Sequence, residues 1–205
     1  MLARFELGDS EPVLTRPIDA SELDAERYRQ ISLRGQYRAE QQILLDNMTH
    51  AGQAGYQVLT PFDTGEDRLV LINRGWVPAD PDRQIRPDVA LNDNHGEVVG
   101  RVDRLPRTAL SLDADPVTAG APLTVVSFPE PADIETILGR PVYPYQVLLG
   151  AEAPAGYVRE WAPASDRADR NIAYAVQWFG LAAVSLLIAA ILGGRSLRRQ
   201  AEATV

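Results

Sequence analysis

Only a few residues of this 205-residue chain could do chemistry, because it contains no Cys, two His and two Met. The lack of thiolates excludes disulfides, a nucleophilic thiol, iron–sulfur clusters and zinc ribbons, and the few soft ligands disfavour copper delivery. His50 and His95 lie in Gly-containing segments without partners at ligand spacing, so we interpret them as solvated loop residues. No Gly-x-Ser-x-Gly elbow or phosphate-binding loop is present. We therefore expect a protein that is not an enzyme and holds no metal ion.

The sequence Asn73-Arg74-Gly75-Trp76 combines an Arg and a Trp, two residue types that dominate interface energetics, with a flexible Gly. One interpretation makes Arg74 and Trp76 a partner-binding corner. The alternative places them at the end of a strand, where Trp76 packs into the core and Arg74 stacks on a ring or pairs with a carboxylate. The apolar neighbours Leu69 and Leu71 favour this alternative, because such a strand requires a core.

A long uncharged segment near the C-terminus separates Arg170 from Arg195. Of its 21 residues from Ile172 to Leu192, ten are Leu, Ile, Val or Phe and six are Ala. A helix of this length spans about 32 Å, enough to cross a hydrocarbon core of about 30 Å. We therefore predict a transmembrane helix over residues 172–194. Three arginines follow it in the tail over residues 195–205, which favours a cytoplasmic tail.

Two patterns make this helix a candidate contact surface. Tyr174, Gln177 and Trp178 lie at positions i, i+3 and i+4, on one face near the headgroup level. The Gln177 amide is costly in apolar surroundings without a partner, so we expect it to face polar groups. Small residues that would let a partner helix approach closely recur every fourth position at Ser185, Ala189 and Gly193. An ordinary Ala-rich face towards lipid explains this ridge equally well.

Short apolar runs with a period of two predict a mainly β domain over residues 27–150. The predicted strands cover 27–37, 42–48, 56–62, 68–77, 97–105, 123–128 and 142–150. The polar turn 63–67 predicts a hairpin, and the Gly-containing stretch 50–55 predicts a loop. One short helix is expected over 129–139, which ends at a Gly.

This pattern favours an antiparallel barrel- or sandwich-like soluble domain with one short helix, followed by the C-terminal transmembrane helix. An extended N-terminal segment over residues 1–26 precedes the domain, and a linker over residues 151–171 leads to the helix. The chain carries a net charge of −8, and an acidic domain repels phosphate backbones. We therefore expect no nucleic-acid partner. All basic residues are Arg, which indicates a bacterial genome rich in G and C.

Several motifs resemble, in the same order, those of the Surfeit locus protein 1 family. They are the pair Asp46-Asn47, the strand Gly55–Phe62, the strand with its turn Leu71–Pro78, the sequence Gly100–Val102 with Pro106, and the sequence Tyr174–Phe179 that opens the C-terminal helix. The matching stretches spread over residues 28–192, which is most of the chain. The combination of Asn-Arg-Gly-Trp behind a Gly-Tyr-x-Val-x-Thr-Pro strand is specific.

The resemblance implies an assembly factor for a haem-copper terminal oxidase of the cytochrome c type, which assists the insertion of haem a or the maturation of the catalytic subunit. It implies as partners that subunit, the lipid bilayer and the haem a synthesis machinery. It also implies a location in the bacterial inner membrane, with the β domain in the periplasm. The alternative is a bitopic accessory module of another membrane complex, without haem handling. A membrane-anchored enzyme is disfavoured, because no nucleophile–base pair or metal set can be assembled.

Two departures from the family pattern matter. The family's N-terminal membrane helix has no counterpart in residues 1–6, and we expect a chain shortened at this end. Many members carry a histidine where this chain has Asn171, and an amide is a poor haem ligand compared with imidazole. We therefore expect transient haem a contact around Asn171, Tyr174, Gln177 and Trp178, without axial ligation by this helix.

Overall fold

The computed structural model describes residues 5, 7, 8, 10–91, 94–107, 123–161, 174–186 and 188. The strands are β1 (Gln30–Tyr37), β2 (Gln42–His50), β3 (Gln53–Asp63), β4 (Leu69–Pro78), β5 (His95–Arg104), β6 (Leu123–Val126) and β7 (Val142–Leu149). The helices are α1 (Leu23–Glu26), α2 (Pro131–Leu138) and α3, which covers residues 174–186. The chain separates into two compact units, a β unit up to Trp161 and a C-terminal unit.

The seven strands form one sheet in the order β1-β5-β7-β4-β3-β2-β6. A further pairing of β1 with β3, at Gln36 with Asp63 and Tyr37 with Phe62, closes five of these strands into a ring. The predicted mainly β, barrel-like fold is therefore confirmed. The prediction of an antiparallel sheet is wrong in part, because β4 pairs parallel with β7 and β2 pairs parallel with β6. These pairings join strands far apart in sequence, which periodicity within a strand cannot reveal.

The β3–β4 hairpin is confirmed, with Gly55 opposite Pro78 at one end and Phe62 opposite Val70 at the other. The loop predicted over residues 50–55 is wrong, since β2 and β3 pair across it from His50 and Gln53 onwards. Only two residues remain for the turn, Ala51 with φ 47° and Gly52 with φ 80°. Two successive positive φ values give the tight turn whose twist matches paired strands, so the strands continue almost to its tip.

The ring encloses the larger core. Each of its five strands contributes inward side chains, among them Leu33, Phe62, Ile72, Val102 and Val147, and these five are at most 2% exposed. A second core lies on the other face of β4, where alternate residues such as Leu69 and Leu71 point away from the ring interior. Both faces of β4 are therefore covered, which explains why Leu69 through Val77 are all buried.

Helix α2 covers the second core with Ile134, Ile137 and Leu138, the apolar stripe expected from the sequence. The single turn α1 was not predicted from the sequence. Ahead of it the predicted extended segment contributes Ile18 to the ring core, where the Ile18 amide donates to the Tyr145 hydroxyl at 3.1 Å. Among the described residues, no helix has both the length and the apolar character that a membrane crossing requires.

Candidate functional site

The Asn-Arg-Gly-Trp sequence lies in β4, and its arginine, Arg74, is a buried cation. Arg74 is 1% exposed. Its Nη1 donates to Gln42 Oε1 at 2.8 Å and to the Val89 carbonyl at 3.0 Å, and its Nε donates to the Ala155 carbonyl at 2.8 Å. Its Nη2 donates to the Tyr157 hydroxyl at 3.3 Å, and the guanidinium lies 4.9 Å from the centre of that ring. One side chain thus joins four separate segments of the chain.

The acceptors that the described residues supply to Arg74 are all neutral: carbonyls, a side-chain amide and hydroxyls. Burial lowers the pKa of Arg74 from its ordinary value, and the Tyr157 hydroxyl opposes this. A guanidinium nevertheless stays protonated in proteins, so a full charge is buried among dipoles. Such a charge costs several kcal/mol of desolvation that only well-formed hydrogen bonds can offset, which makes each acceptor around it important.

The residues after Arg74 bind the segment over residues 155–161, here called the exit segment because it is the last described part of the β unit. The Tyr157 amide donates to the Arg74 carbonyl at 2.7 Å. The Trp76 amide donates to the Val158 carbonyl at 2.8 Å, and the Val158 amide returns a bond to the Trp76 carbonyl at 3.2 Å. The exit segment therefore pairs with the end of β4 like a short antiparallel strand.

Gly75 permits this pairing. It has a φ of 112°, and a Cβ at this position would lie 2.6 Å from the Val158 carbonyl oxygen. A side chain here would clash with the exit segment as well as strain the backbone. The Gly75 amide donates to Asn73 Oδ1 at 3.1 Å, which fixes the turn locally.

Further along the exit segment, its own side chains bind backbone carbonyls at and just after the end of β7. Arg159 Nη1 donates to the carbonyls of Gly150 at 2.5 Å and Ala153 at 2.7 Å, and Trp161 Nε1 donates to the Leu149 carbonyl at 2.9 Å. His50 Nδ1 lies 3.9 Å from Glu160 Oε2, so this histidine also contacts the exit segment. The exit segment is therefore held along its length by the rest of the β unit.

Asn73 organises a second polar cluster. Its Nδ2 donates to Gln57 Oε1 at 3.0 Å and to Gln146 Oε1 at 2.8 Å, and Gln146 Nε2 in turn donates to the Arg104 carbonyl at 2.9 Å. Asn73 is 0% and Gln146 3% exposed. These amides connect β3, β4, β7 and β5, so the cluster sets the register of the central strands of the ring.

The structure places Arg74 and Trp76 inside the β unit. Trp76 is 9% exposed, packs in the second core and donates from Nε1 to the Met48 carbonyl at 3.2 Å. These positions favour the structural alternative for the Asn-Arg-Gly-Trp sequence, with Arg74 stacked on Tyr157. Sequence reasoning missed Gln42 and Tyr157 as partners of Arg74. The one available signal was Gln42, a polar residue at the start of the apolar strand β2. The residues around Tyr157 in the sequence give no such signal.

The second candidate site lies on α3. Tyr174, Gln177 and Trp178 are all exposed on this helix, Tyr174 by 62% and Trp178 by 69%. Ser185 is also exposed, and its hydroxyl donates to the Leu181 carbonyl at 2.9 Å, so its polar group is satisfied within the helix. The other predicted members, Asn171, Ala189 and Gly193, lie outside the described residues.

The described helix offers flat apolar rings and hydrogen-bonding groups but no imidazole. An aromatic surface and a neutral amide suit the face and the polar substituents of a porphyrin, whereas axial ligation of its iron requires a stronger ligand. Among the described residues, no group of three His, Cys, Asp or Glu side chains is arranged to hold a metal ion.

Comparison with known proteins agrees with these motifs. The model of the SURF1 family matches residues 5–183. A SURF1-like protein of Rickettsia felis is 27% identical over 203 residues, which cover 93% of this chain and 85% of that protein. A SURF1-like protein of Rickettsia conorii is 27% identical over 194 residues, which cover 89% of this chain and 76% of that protein. The match covers both the Asn-Arg-Gly-Trp sequence and the start of α3, and the chain therefore belongs to the SURF1 family of cytochrome c oxidase assembly factors.

Proposed function

We propose that this protein is a membrane-anchored assembly factor for a haem-copper terminal oxidase, and that it assists haem a insertion into the catalytic subunit or the maturation of that subunit. It acts without catalysing a reaction. Family membership over residues 5–183 is the observation that carries this proposal. The protein works at the bacterial inner membrane, with its β unit on the periplasmic side.

The exposed apolar surface of α3 supports membrane anchoring. All described side chains from Tyr174 to Leu186 are exposed and none is charged, and Phe179 is 77% exposed. Removing one large apolar side chain fully from water is favourable by about 1.5–3 kcal/mol, so contact between this surface and an apolar environment is strongly favoured. The sequence continues without charge to Gly194 and then carries three arginines, a pattern that suits a lipid bilayer better than a partner protein. Arginines also precede the helix, so family membership carries most of the proposed orientation.

Haem a enters this proposal as cargo in transit to the oxidase. The face formed by Tyr174, Gln177 and Trp178 supplies an aromatic surface for the macrocycle and donors for its propionates or formyl group. With Asn171 ahead of this face in place of the family's histidine, contact is weak and lacks axial ligation from this helix. The catalytic subunit is the direct partner, and the haem a synthesis machinery is a second one.

A deletion strain tests the proposal. Reduced-minus-oxidised difference spectra of its membranes should lose the haem a absorbance, while the haem b bands of other complexes stay unchanged. The full-length gene supplied in trans should restore the haem a signal. An unchanged haem a band would overturn the proposal. Loss of a different membrane complex with normal haem a would instead support the alternative function as a bitopic accessory or stability module.

A further inference from the structure

We infer that Arg74 is a positioning residue, whose buried cation holds the exit segment on β4 and so determines where the chain leaves the β unit. This inference rests on the proposed function, because the position matters only if the helix that follows anchors the protein. Arg74 touches neither lipid nor cargo in this role, and acts through the exit segment.

The hydrogen bonds of Arg74 divide between the two sides of this junction. On the β-unit side it donates to Gln42 and to the Val89 carbonyl, and Thr60 supports Gln42 by donating to the same Oε1 at 3.0 Å. On the exit-segment side it donates to the Ala155 carbonyl and to the Tyr157 hydroxyl. If the exit segment detached, the guanidinium would lose both acceptors and the ring over its face. The charge of Arg74 therefore opposes detachment, since a hydrogen bond to a charged group contributes more to stability than one between neutral groups.

Gly75, which follows Arg74, also allows the exit segment to bind β4. Gly75 leaves room for the Val158 carbonyl, and both backbone bonds between Trp76 and Val158 depend on that approach. Two neighbouring residues of the Asn-Arg-Gly-Trp sequence thus hold the exit segment by different means, one by charge and one by the lack of a side chain. A role confined to the ring core would not require either contact.

Holding the exit segment reduces the number of residues between the last residue bound to the rest of the β unit and the start of α3. Trp161 and Tyr174 are 13 positions apart, a stretch that reaches at most about 45 Å when fully extended. Detachment back to Gly150 would increase the separation to 24 positions and the limit to about 85 Å. A shorter covalent limit raises the effective concentration of the β unit for a partner that binds the anchoring helix.

The test uses the full-length protein and three variants, each of which weakens the binding of the exit segment in a different way. Arg74→Gln removes the charge, Gly75→Ala inserts a Cβ against Val158, and Tyr157→Ala removes an acceptor without entering the ring core. Gly65→Ala is the matched control, because Gly65 also has a positive φ, 86°, but nothing lies within 4 Å of a Cβ built there.

Hydrogen exchange measured by mass spectrometry gives the structural readout. In all three variants, peptides that cover positions 157 and 158 should exchange at least about tenfold faster than in the wild type, while β5 and β7 peptides keep their protection. The control should leave the exit segment protected. Unchanged exchange in Tyr157→Ala would overturn the inference, and this variant remains informative even if Arg74→Gln does not fold.

Complementation of the deletion strain gives the functional readout. The three variants should restore less than half of the haem a absorbance restored by the wild type at equal protein level, and Gly65→Ala should restore all of it. Full restoration by variants with a detached exit segment would overturn the inference and leave the proposed function intact. Failure of the wild-type gene to restore haem a would overturn the proposed function, and with it the functional part of this inference.

Discussion

Replacing Asn73 by Asp tests the buried amide cluster at the centre of the ring. The change keeps the size of the side chain but turns a group that donates twice into a carboxylate that only accepts. Both of its partners, Gln57 Oε1 and Gln146 Oε1, are acceptors at 3.0 Å and 2.8 Å. Gln146 cannot simply reverse its amide, because its Nε2 already donates to the Arg104 carbonyl.

The expected cost follows from these contacts. Two lost hydrogen bonds cost about 1 kcal/mol each, and each buried acceptor left facing another oxygen adds about 1–3 kcal/mol. The bond from the Gly75 amide survives and becomes charge-assisted, which offsets about 1 kcal/mol. We therefore expect Asn73→Asp to lower the free energy of unfolding by about 3–7 kcal/mol at pH 7.

The penalty should depend on pH in a defined direction. A carboxyl group at position 73 would be fully buried and face two oxygens, so its pKa in the folded state should rise above the unfolded value of about 3.9. The folded state then binds the proton more tightly, and the variant regains stability as the pH falls. The gain amounts to at most about 1.4 kcal/mol per pH unit between the two pKa values.

Urea unfolding of the full-length protein in mild detergent, followed by tryptophan fluorescence at pH 7 and pH 5, measures both effects. Asn47→Asp is the control, because Asn47 is exposed and the same charge change there should cost less than about 0.5 kcal/mol. Equal stability of Asn73→Asp and the wild type at pH 7 would refute the account of the cluster. So would a penalty that increases when the pH is lowered from 7 to 5.

Three further predictions concern acid stability, packing and haem. Arg140, first among several causes, holds the pKa of Asp63 below its ordinary value, so this ion pair stabilises the fold above the unfolded pKa and less as the pH falls through the folded one. Arg140→Met should thus lower the free energy of unfolding by about 1 kcal/mol or less at pH 7, and by less as an acid titration passes through the folded-state pKa of Asp63. A cost that stays constant throughout the acid titration would contradict this. Gly55→Ala should lower the free energy of unfolding by about 2–4 kcal/mol, because the new Cβ meets the Val77 carbonyl and the Trp76 ring. In Gly52→Ala the new Cβ meets no atom within 4 Å, so only about 1–2 kcal/mol of backbone strain is expected. Equal urea midpoints for the two variants would contradict this account of the packing. Asn171→His should increase haem affinity and give a histidine-ligated absorption spectrum in the full-length protein; His-ligated haem in the unmodified protein would place the ligand elsewhere.

The local pattern of residues was sufficient to predict most of the strands, the β3–β4 hairpin and α2. Alternation at period two and the Ile134, Ile137 and Leu138 stripe report which side of an element is buried, and burial is a local property of each element. The same approach failed at Ala51 and Gly52, where Gly was interpreted as a loop residue although a two-residue turn uses it to keep the strands paired.

The partners of the buried polar side chains were decided only by the tertiary structure. Asn73 and Gln146 are 73 positions apart and meet because β4 pairs parallel with β7, and Arg74 meets Tyr157 because the exit segment returns to the end of β4. No spacing rule joins such positions, since loop closure over that distance is set by the whole fold. The sequence alone indicated that Arg74 belongs to a distinctive motif; the structure decided that its charge points inward, because the acceptors that can satisfy it come together only when the ring closes and the exit segment binds.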